Sequence, residues 1–221
     1  MSGRLMVLEG TDGSGKSTQF ELLRRRMERV SVPFRHAVFP RYDQPSSALI
    51  RLYLEGEFGS APGDVNAYAA SAFYAVDRYA SYRQDWGTWY EDGGLVLCDR
   101  YTTSNAVHQA SKLPGQDRER FLRWLYEFEF DKLGLPRPDL VLYLDMPVEQ
   151  SEHLLRRRER STDTQADIHE RDSAYLAACR EAASYAADLL GWRRIPCVEA
   201  GQLRTVEEIH QDIWKEVRAF L

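Results

Sequence analysis

A glycine-rich segment near the start of the chain constrains its fold more than any other feature. Residues 10–17 read GTDGSGKS and match the pattern G-x-x-x-x-G-K-[ST]. The segment follows a short apolar run and precedes an amphipathic stretch, so the sequence predicts a strand, a tight turn and a helix in that order. Such a turn directs backbone N–H groups toward bound phosphates. We therefore expect a loop that binds the phosphates of a nucleotide.

Two side chains of this loop are expected to act on those phosphates. Lys16 would reach the β- and γ-phosphates and neutralise charge during catalysis, and Ser17 would offer an oxygen to Mg²⁺. The residues expected to bind ATP are Gly10, Gly13, Ser14, Gly15, Lys16, Ser17 and Thr18. The loop alone leaves open where the γ-phosphoryl group goes.

Along the rest of the chain, short β-rich runs alternate with longer segments of helical period. The predicted strands cover residues 4–9, 34–39, 95–98, 140–144 and 195–198. This alternation indicates an α/β protein with the P-loop NTPase fold, in which helices flank a five-stranded parallel sheet. The length of 221 residues fits one domain over residues 1–221, with an arginine-rich lid at about 156–168.

Composition excludes several classes of function. With 29 Lys and Arg against 34 Asp and Glu, the chain lacks the basic excess expected of a protein that binds duplex nucleic acid. The apolar run at residues 5–8 is too short for a secretory signal, and no segment is long enough to span a membrane, so we expect a cytoplasmic protein. The separated Cys98, Cys179 and Cys197 are expected to be buried free thiols.

The ends of the second and third predicted strands carry charged residues that bear on the acceptor. Asp99 and Arg100 directly follow the third strand, where Asp99 can hold a metal ion or its water shell. The second strand ends in Phe39-Pro40-Arg41-Tyr42. An arginine there suits an acceptor that is already anionic, whereas a neutral hydroxyl would need a carboxylate base. A GTPase would carry an Asn-Lys-x-Asp segment, which this sequence lacks, so a nucleoside monophosphate kinase is favoured.

A long helix is predicted to begin near residue 64. The residues that it is predicted to bury are Val65, Ala69, Ala72 and Val76. Tyr74 and Arg78 lie one turn apart on a different face, where an aromatic ring can stack on a base and a guanidinium can donate to a base carbonyl. Taken alone, the pair favours ordinary helix packing, and only together with the other motifs does it indicate a base-binding site.

Together these segments resemble the thymidylate kinase family over nearly the whole chain. The three characteristic motifs of that family correspond in this sequence to residues 10–17, Phe39-Pro40-Arg41 and Asp99-Arg100-Tyr101. Further matching segments are residues 73–78, 104–105 and 134–139. The resemblance implies transfer of the γ-phosphoryl group of ATP to dTMP with Mg²⁺, by a homodimer. The alternatives are a kinase for another (deoxy)nucleoside monophosphate and a regulator that binds ATP without turnover.

The resemblance also implies roles for individual residues in substrate binding. Tyr74 would stack on thymine, Arg78 would contact a thymine carbonyl, and Asn105 would read the base edge. Arg41 and Arg100 would hold the monophosphate. Asp12 would lie near the sugar hydroxyl and, like Arg100, is a catalytic candidate, and Tyr42 would pack beside the acceptor group. Glu170 would approach the sugar and the metal, although it also reads as part of a helix cap.

The chain departs from the family pattern at two places. Some members carry an arginine inside the glycine loop, but this loop has Gly13 and Ser14, so the lid is expected to supply the catalytic cation. Arg157 and Arg160 are favoured for that role, although lid arginines can also be surface charge. His108 stands where similar relatives carry tyrosine or phenylalanine. This difference affects the expected rejection of ribonucleotides; the alternative is that His108 is an ordinary histidine packed on its helix.

Overall fold

The computed structural model describes residues 2–162 and 173–221, without the side chains of 157–162 and 173. The strands are β1 Arg4–Gly10, β2 Phe34–Val38, β3 Leu95–Asp99, β4 Leu140–Asp145, β5 Arg193–Pro196, β6 Val198–Glu199 and β7 Gln202–Leu203. The helices are α1 Lys16–Arg29, α2 Ala48–Glu55, α3 Ala67–Ser81, α4 Gly87–Glu91, α5 Thr102–His108, α6 Gly115–Tyr126, α7 Val148–Thr162, α8 Ser173–Leu190 and α9 Val206–Phe220. Single π-helical turns follow α3 at Tyr82–Trp86 and α6 at Glu127–Lys132.

The main sheet confirms the predicted architecture. Its five strands run parallel in the order β2-β3-β1-β4-β5. Four of the predicted strands end within one residue of the observed bounds, whereas β5 begins two residues earlier than predicted. The order reverses at β1, which lies between β3 and β4, and ligands of such sheets bind at the carboxyl ends of the strands beside this point. The antiparallel pair β6-β7 was not predicted.

The central strand is apolar on both faces because helices cover both sides of the sheet. Leu5 and Val7 pack into one core cluster with residues of α5, α6 and α8. Met6 and Leu8 point to the other face and pack against residues of α1 and α9. The sheet is therefore held rigidly between two layers, and the loops at its carboxyl edge are positioned by it.

The prediction for the buried face of the long helix is wrong. The helix α3 begins at Ala67, capped by the side chain of Asn66, and Val76 is 54% exposed while Val65, Ala69 and Ala72 are only partly buried. The residues that α3 buries are Ala67, Ala70, Ser71, Ala75, Asp77, Arg78 and Ser81. The physical reason is that the buried face carries polar residues with partners inside the protein, so hydrophobicity identified the wrong side.

Two smaller predictions concern the thiols and membrane association. Cys98, Cys179 and Cys197 are all buried free cysteines, as expected. Burial raises the pKa of the Cys179 thiol to about 12, so this group stays protonated and unreactive near neutral pH. In the described part of the chain, the helices are all too short or too polar to cross a lipid bilayer.

The last helix tests how much one cap contributes to stability. Thr205 Oγ1 accepts from the backbone N–H of Glu208 at 3.3 Å, and the Glu208 carboxylate accepts from the N–H of Thr205 at 2.8 Å. We expect Thr205→Ala to lower the free energy of unfolding by about 1 kcal/mol, measured by urea denaturation. Val206→Ala, an exposed neighbour in the same turn, is the control and should change it by less than about 0.5 kcal/mol. Equal effects of the two substitutions would contradict a role for the cap.

Candidate active site

The glycine loop connects β1 to α1 in a conformation that its sequence makes possible. Gly13 and Gly15 have φ angles of +76° and +80°, which L side chains rarely adopt. A Cβ atom at Gly13 would also lie 2.4 Å from the carbonyl oxygen of Ser151. Gly15 caps α1, so the first backbone N–H groups of the helix are left free of helical partners at the carboxyl edge of the sheet. Ser17 and Thr18 are exposed in that first turn.

Lys16 is the buried cation of this loop. Its Nζ atom donates to Oδ1 of Asp99 at the end of β3, and both side chains are largely buried. Burial lowers the pKa of Lys16, the nearby Arg100 lowers it further, and Asp99 opposes both effects. The structure thus joins the loop lysine to the acidic residue that the sequence predicted as a metal ligand.

Arg100 occupies the centre of the cluster. Its φ angle of +65° lies in the left-handed region, and its backbone N–H donates to the carbonyl of Leu8 in β1 at 3.1 Å. Its guanidinium donates to Asp12 at 2.5 Å and lies 3.6 Å from the Glu9 carboxylate. Burial alone would lower the pKa of Arg100, but the carboxylates of Asp12, Glu9 and Asp99 outweigh it and raise that pKa. The side chain is therefore a permanent, oriented cation.

Arg41 is held differently. It follows a cis Phe39–Pro40 bond, and its guanidinium pairs with Asp77 at 3.2 Å and with Asp85 at 2.6 Å. A further donor contacts Ser46 at 3.0 Å. Of the two arginines expected at the acceptor phosphate, Arg100 lines a pocket beside the glycine loop, whereas Arg41 is bound to the carboxylates of Asp77 and Asp85.

A pocket of about 510 Å³ opens beside the glycine loop at the carboxyl edge of the sheet. Its walls contain most of the substrate-binding residues that the sequence predicted. The lining residues are Asp12, Phe39, Pro40, Tyr42, Leu54, Tyr74, Arg78, Arg100, Tyr101, Ser104, Asn105, His108 and Gln109. Side chains from five separate stretches of the sequence thus meet in one cavity next to the predicted phosphate-binding loop.

The deep end of this pocket is organised by a buried carboxylate that the sequence did not reveal. Arg78, which is 1% exposed, donates from Nε and Nη2 to Glu129 at 2.7 and 2.5 Å. Asn105 Nδ2 donates to the same carboxylate at 3.2 Å. Glu129 lies between Phe128 and Phe130, so an acidic residue inside an aromatic run was the available sequence signal.

Gln109 and Glu9 are two more residues that the sequence analysis missed. Gln109 lies one turn after Asn105 and lines the pocket, and its buried amide has no hydrogen-bond partner among the described residues. Helical spacing from Asn105 would have identified it. Glu9 is fully buried and accepts hydroxyl bonds from Thr103 at 2.6 Å and from Ser104 at 2.8 Å.

His108 both lines the pocket and packs inside the protein. Its Nε2 atom lies 3.0 Å from the Arg100 guanidinium, which can only donate, so Nε2 is the acceptor. Its Nδ1 atom faces the Sγ atom of Cys179 at 3.6 Å, and its carbonyl accepts from the Tyr175 hydroxyl at 3.0 Å. The histidine is thus tied directly to the arginine expected at the acceptor phosphate.

The residues suggested for Mg²⁺ supply the right kind of atom. Ser17 offers a hydroxyl and Asp99 a carboxylate, and hard oxygen ligands suit this ion. Among the described residues, no group of three or more His, Cys, Asp or Glu side chains could hold a metal alone. That donor set fits Mg²⁺, which commonly binds one or two protein oxygens together with substrate phosphates and water.

The lid predictions fall largely outside the described residues. The side chains of Arg157 and Arg160 and the whole of Glu170 are not described. The backbone of residues 156–162 forms the end of α7, and Arg156 is exposed and pairs with Glu152 at 3.2 Å.

Comparisons with known proteins agree with this architecture. The family model described as thymidylate kinase matches residues 8–213. The chain is 32% identical to the thymidylate kinase of Mycobacterium tuberculosis (strain ATCC 25618 / H37Rv) over 171 residues, covering 76% of this chain and 78% of that protein. It is 29% identical to the probable thymidylate kinase of Pyrococcus abyssi (strain GE5 / Orsay), covering 96% and 95% of the two chains.

A solved structure supports the fold. The thymidylate kinase from Candida albicans superposes with a TM-score of 0.70 at 19% identity, covering 99% of this chain and 92% of that chain. The family model spans most of the chain, and the relatives align over most of their own lengths. The chain therefore belongs to the thymidylate kinase family of nucleoside monophosphate kinases.

Proposed function

We propose that this protein transfers the γ-phosphoryl group of ATP to the 5′-phosphate of dTMP, giving dTDP and ADP. The observation that carries the proposal is the position of Arg100, which pairs with Asp12 of the glycine loop at 2.5 Å and also lines the pocket that holds Tyr74 and Arg78. One fixed cation thus stands between a phosphate-donor loop and a cavity suited to a base.

On the donor side, the loop binds the ATP phosphates through its backbone N–H groups and the first turn of α1. Lys16 neutralises charge that spreads over the transferring phosphoryl group. Its present partner Asp99 keeps the ammonium group oriented until a polyphosphate offers stronger acceptors. The residues that bind ATP are Gly10, Gly13, Ser14, Gly15, Lys16, Ser17 and Thr18.

On the acceptor side, the attacking oxygen already carries negative charge, so steering matters more than proton removal. Arg100 holds the acceptor phosphate, and Asp12 and Glu9 fix the direction of its guanidinium. Arg41 assists by exchanging its contact with the exposed Asp85 for the phosphate, because an exposed ion pair is weak. Asp12 also lies within reach of the sugar, and Tyr42 packs beside the acceptor.

At the base end, the ring of Tyr74 stacks on thymine, and Arg78 and Asn105 contact its polar edge. All three line the pocket, and Arg78 and Asn105 are almost fully buried. His108 faces the sugar and limits the space available there.

The remaining partners complete the proposal. Ser17 and Asp99 would hold Mg²⁺, which when bound neutralises phosphate charge. Arg157 and Arg160 supply lid cations, and Glu170 approaches the sugar and metal. The chain acts as a single domain in the cytoplasm and as a homodimer, a state supported by the exposed apolar side chains of Val76 and Tyr79 on α3.

A panel of acceptors tests the function. With ATP and Mg²⁺, we expect dTMP to give the highest kcat/KM among dTMP, dUMP, dCMP, dGMP and UMP in an assay that couples ADP formation to a change in absorbance. A higher value for another acceptor would assign the chain to that nucleotide. Binding of ATP by calorimetry without turnover of any acceptor would indicate a regulator.

Removal of the loop lysine tests the mechanism. We expect Lys16→Ala to lower kcat for dTMP by about a hundredfold or more, because one buried group that stabilises transition-state charge is lost. Lys215→Ala removes an exposed lysine on α9 and is the control, with kcat unchanged. A Lys16→Ala enzyme as active as the control would exclude the proposed role.

Tyr74 tests the assignment of the base end. We expect Tyr74→Ala to raise KM for dTMP about tenfold, since stacking on an aromatic ring contributes about 1–3 kcal/mol, with a smaller effect on kcat. Tyr74→Phe keeps the ring face and should stay within about threefold of the unmodified enzyme. A normal KM in Tyr74→Ala would place the base elsewhere.

A further inference from the structure

Glu129 is a fully buried carboxylate that touches Arg78 and Asn105, the two residues assigned to the polar edge of the base, but it is not itself a lining residue of the pocket. It lies on the π-helical turn Glu127–Lys132, a rare feature that often marks functional sites. Its Oε1 atom accepts from Arg78 at 2.5 Å and from Asn105 at 3.2 Å. Its Oε2 atom accepts from Arg78 at 2.7 Å and from the Thr102 hydroxyl at 2.7 Å. Four donors therefore converge on two oxygens.

This arrangement determines which end of the Asn105 amide can meet a ligand. Nδ2 donates to Glu129 at 3.2 Å and to the carbonyl oxygen of Ser71 at 3.3 Å. Both partners are acceptors, so the opposite amide orientation would place two oxygens against the carbonyl oxygen of Asn105. Since both N–H groups are used, Oδ1 is the only polar side-chain atom that Asn105 can offer to a bound base. Asn105 is thereby made an acceptor.

Arg78 supplies the complementary group. A guanidinium donates and never accepts, and its Nε and one Nη2 hydrogen are committed to Glu129. Its other N–H groups remain donors, with Nη1 near the carbonyl oxygen of Tyr101 at 3.4 Å. Glu129 therefore holds one donor and one acceptor beside each other at the deep end of the pocket.

The polar edge of a pyrimidine distinguishes bases by the order of these groups. Thymine and uracil place a carbonyl acceptor at C4 next to the N3–H donor, whereas cytosine places an amino donor next to an unprotonated N3 acceptor. A donor from Arg78 and an acceptor from Asn105 match the first pattern and oppose the second. Guanine shares the first pattern, so only pyrimidines of equal size isolate the effect of polarity.

We propose that Glu129 is a positioning residue that fixes the donor and acceptor ends of Arg78 and Asn105, and so selects pyrimidines that carry a C4 carbonyl and N3–H over cytosine. The inference rests on the proposed function, because it takes the base to lie against these two side chains. It assigns the rejection of cytosine to a residue that need not touch the nucleotide.

The test compares dUMP with dCMP, which differ only at this edge. Dissociation constants are measured by calorimetry without ATP for the unmodified protein, Glu129→Gln and the control Glu127→Gln, an exposed glutamate on the same turn. We expect dUMP to bind the unmodified protein and the control about a hundredfold more tightly than dCMP, because a mismatch leaves buried polar groups unpaired. In Glu129→Gln the preference should fall below about tenfold, since a glutamine can donate to Asn105, so that of its two acceptor partners only the Ser71 carbonyl still opposes reversal of the amide.

Two further results keep the proposal open to refutation. Glu129→Asp keeps a carboxylate that can only accept, so it should retain the preference even where it weakens the binding of both nucleotides. A folded Glu129→Gln with an unchanged preference, a Glu129→Asp without one, or equal binding of dUMP and dCMP to the unmodified protein would each overturn the inference. If Glu129→Gln fails to fold, the unmodified protein and Glu129→Asp decide. Turnover of dTMP by the unmodified protein tests the proposed function separately, because the binding comparison requires no phosphoryl transfer.

Discussion

The parallel pairing of β1 with β3 is the constraint on which the rest of the site depends. In this register Leu8 lies beside Asp99, and the backbone of Arg100 continues the pairing with a hydrogen bond to the Leu8 carbonyl. Because Asp99 and Arg100 are consecutive residues, this pairing places Asp99 beside Lys16 and Arg100 beside Asp12. Lys16 follows β1 through the glycine loop and Arg100 directly follows β3, so the two cations of the site come from separate parts of the chain. The backbone bond from Arg100 to Leu8 and the pairing of Lys16 with Asp99 bring them together.

This pairing concentrates charge in a small and largely buried volume. Three carboxylates, Glu9, Asp12 and Asp99, face the cations Lys16 and Arg100. Removing one partner from such a cluster leaves an uncompensated buried charge, which costs about 3–5 kcal/mol. The carboxylates thus hold both cations in place before any phosphate arrives. In the proposed reaction Arg100 is thus already oriented toward its phosphate, and such preorganisation favours electrostatic stabilisation of a transferring phosphoryl group.

The sequence predicts those parts of the protein that depend on local pattern. The glycine loop and the main strands follow from spacing and from apolar runs. The buried face of α3 does not, because Asp77 and Arg78 are buried by partners far along the chain. Arg78 meets Glu129 across 51 positions, and Arg41 meets Asp77 across 36. Periodicity measures hydrophobicity along one element and carries no information on partners that lie so far away.

The short helix α5 shows how these polar contacts take over the role of an apolar stripe. Seven residues are too few for a helix to be stable alone. The hydroxyl groups of its first turn donate to buried carboxylates, Thr102 to Glu129 and both Thr103 and Ser104 to Glu9. Negative charge is also favourable at that end of a helix. Because Glu9 faces Arg100 and Glu129 binds Arg78, any shift of α5 would disturb both the part of the pocket lined by Arg100 and the part lined by Arg78. The two ends are therefore positioned as one unit.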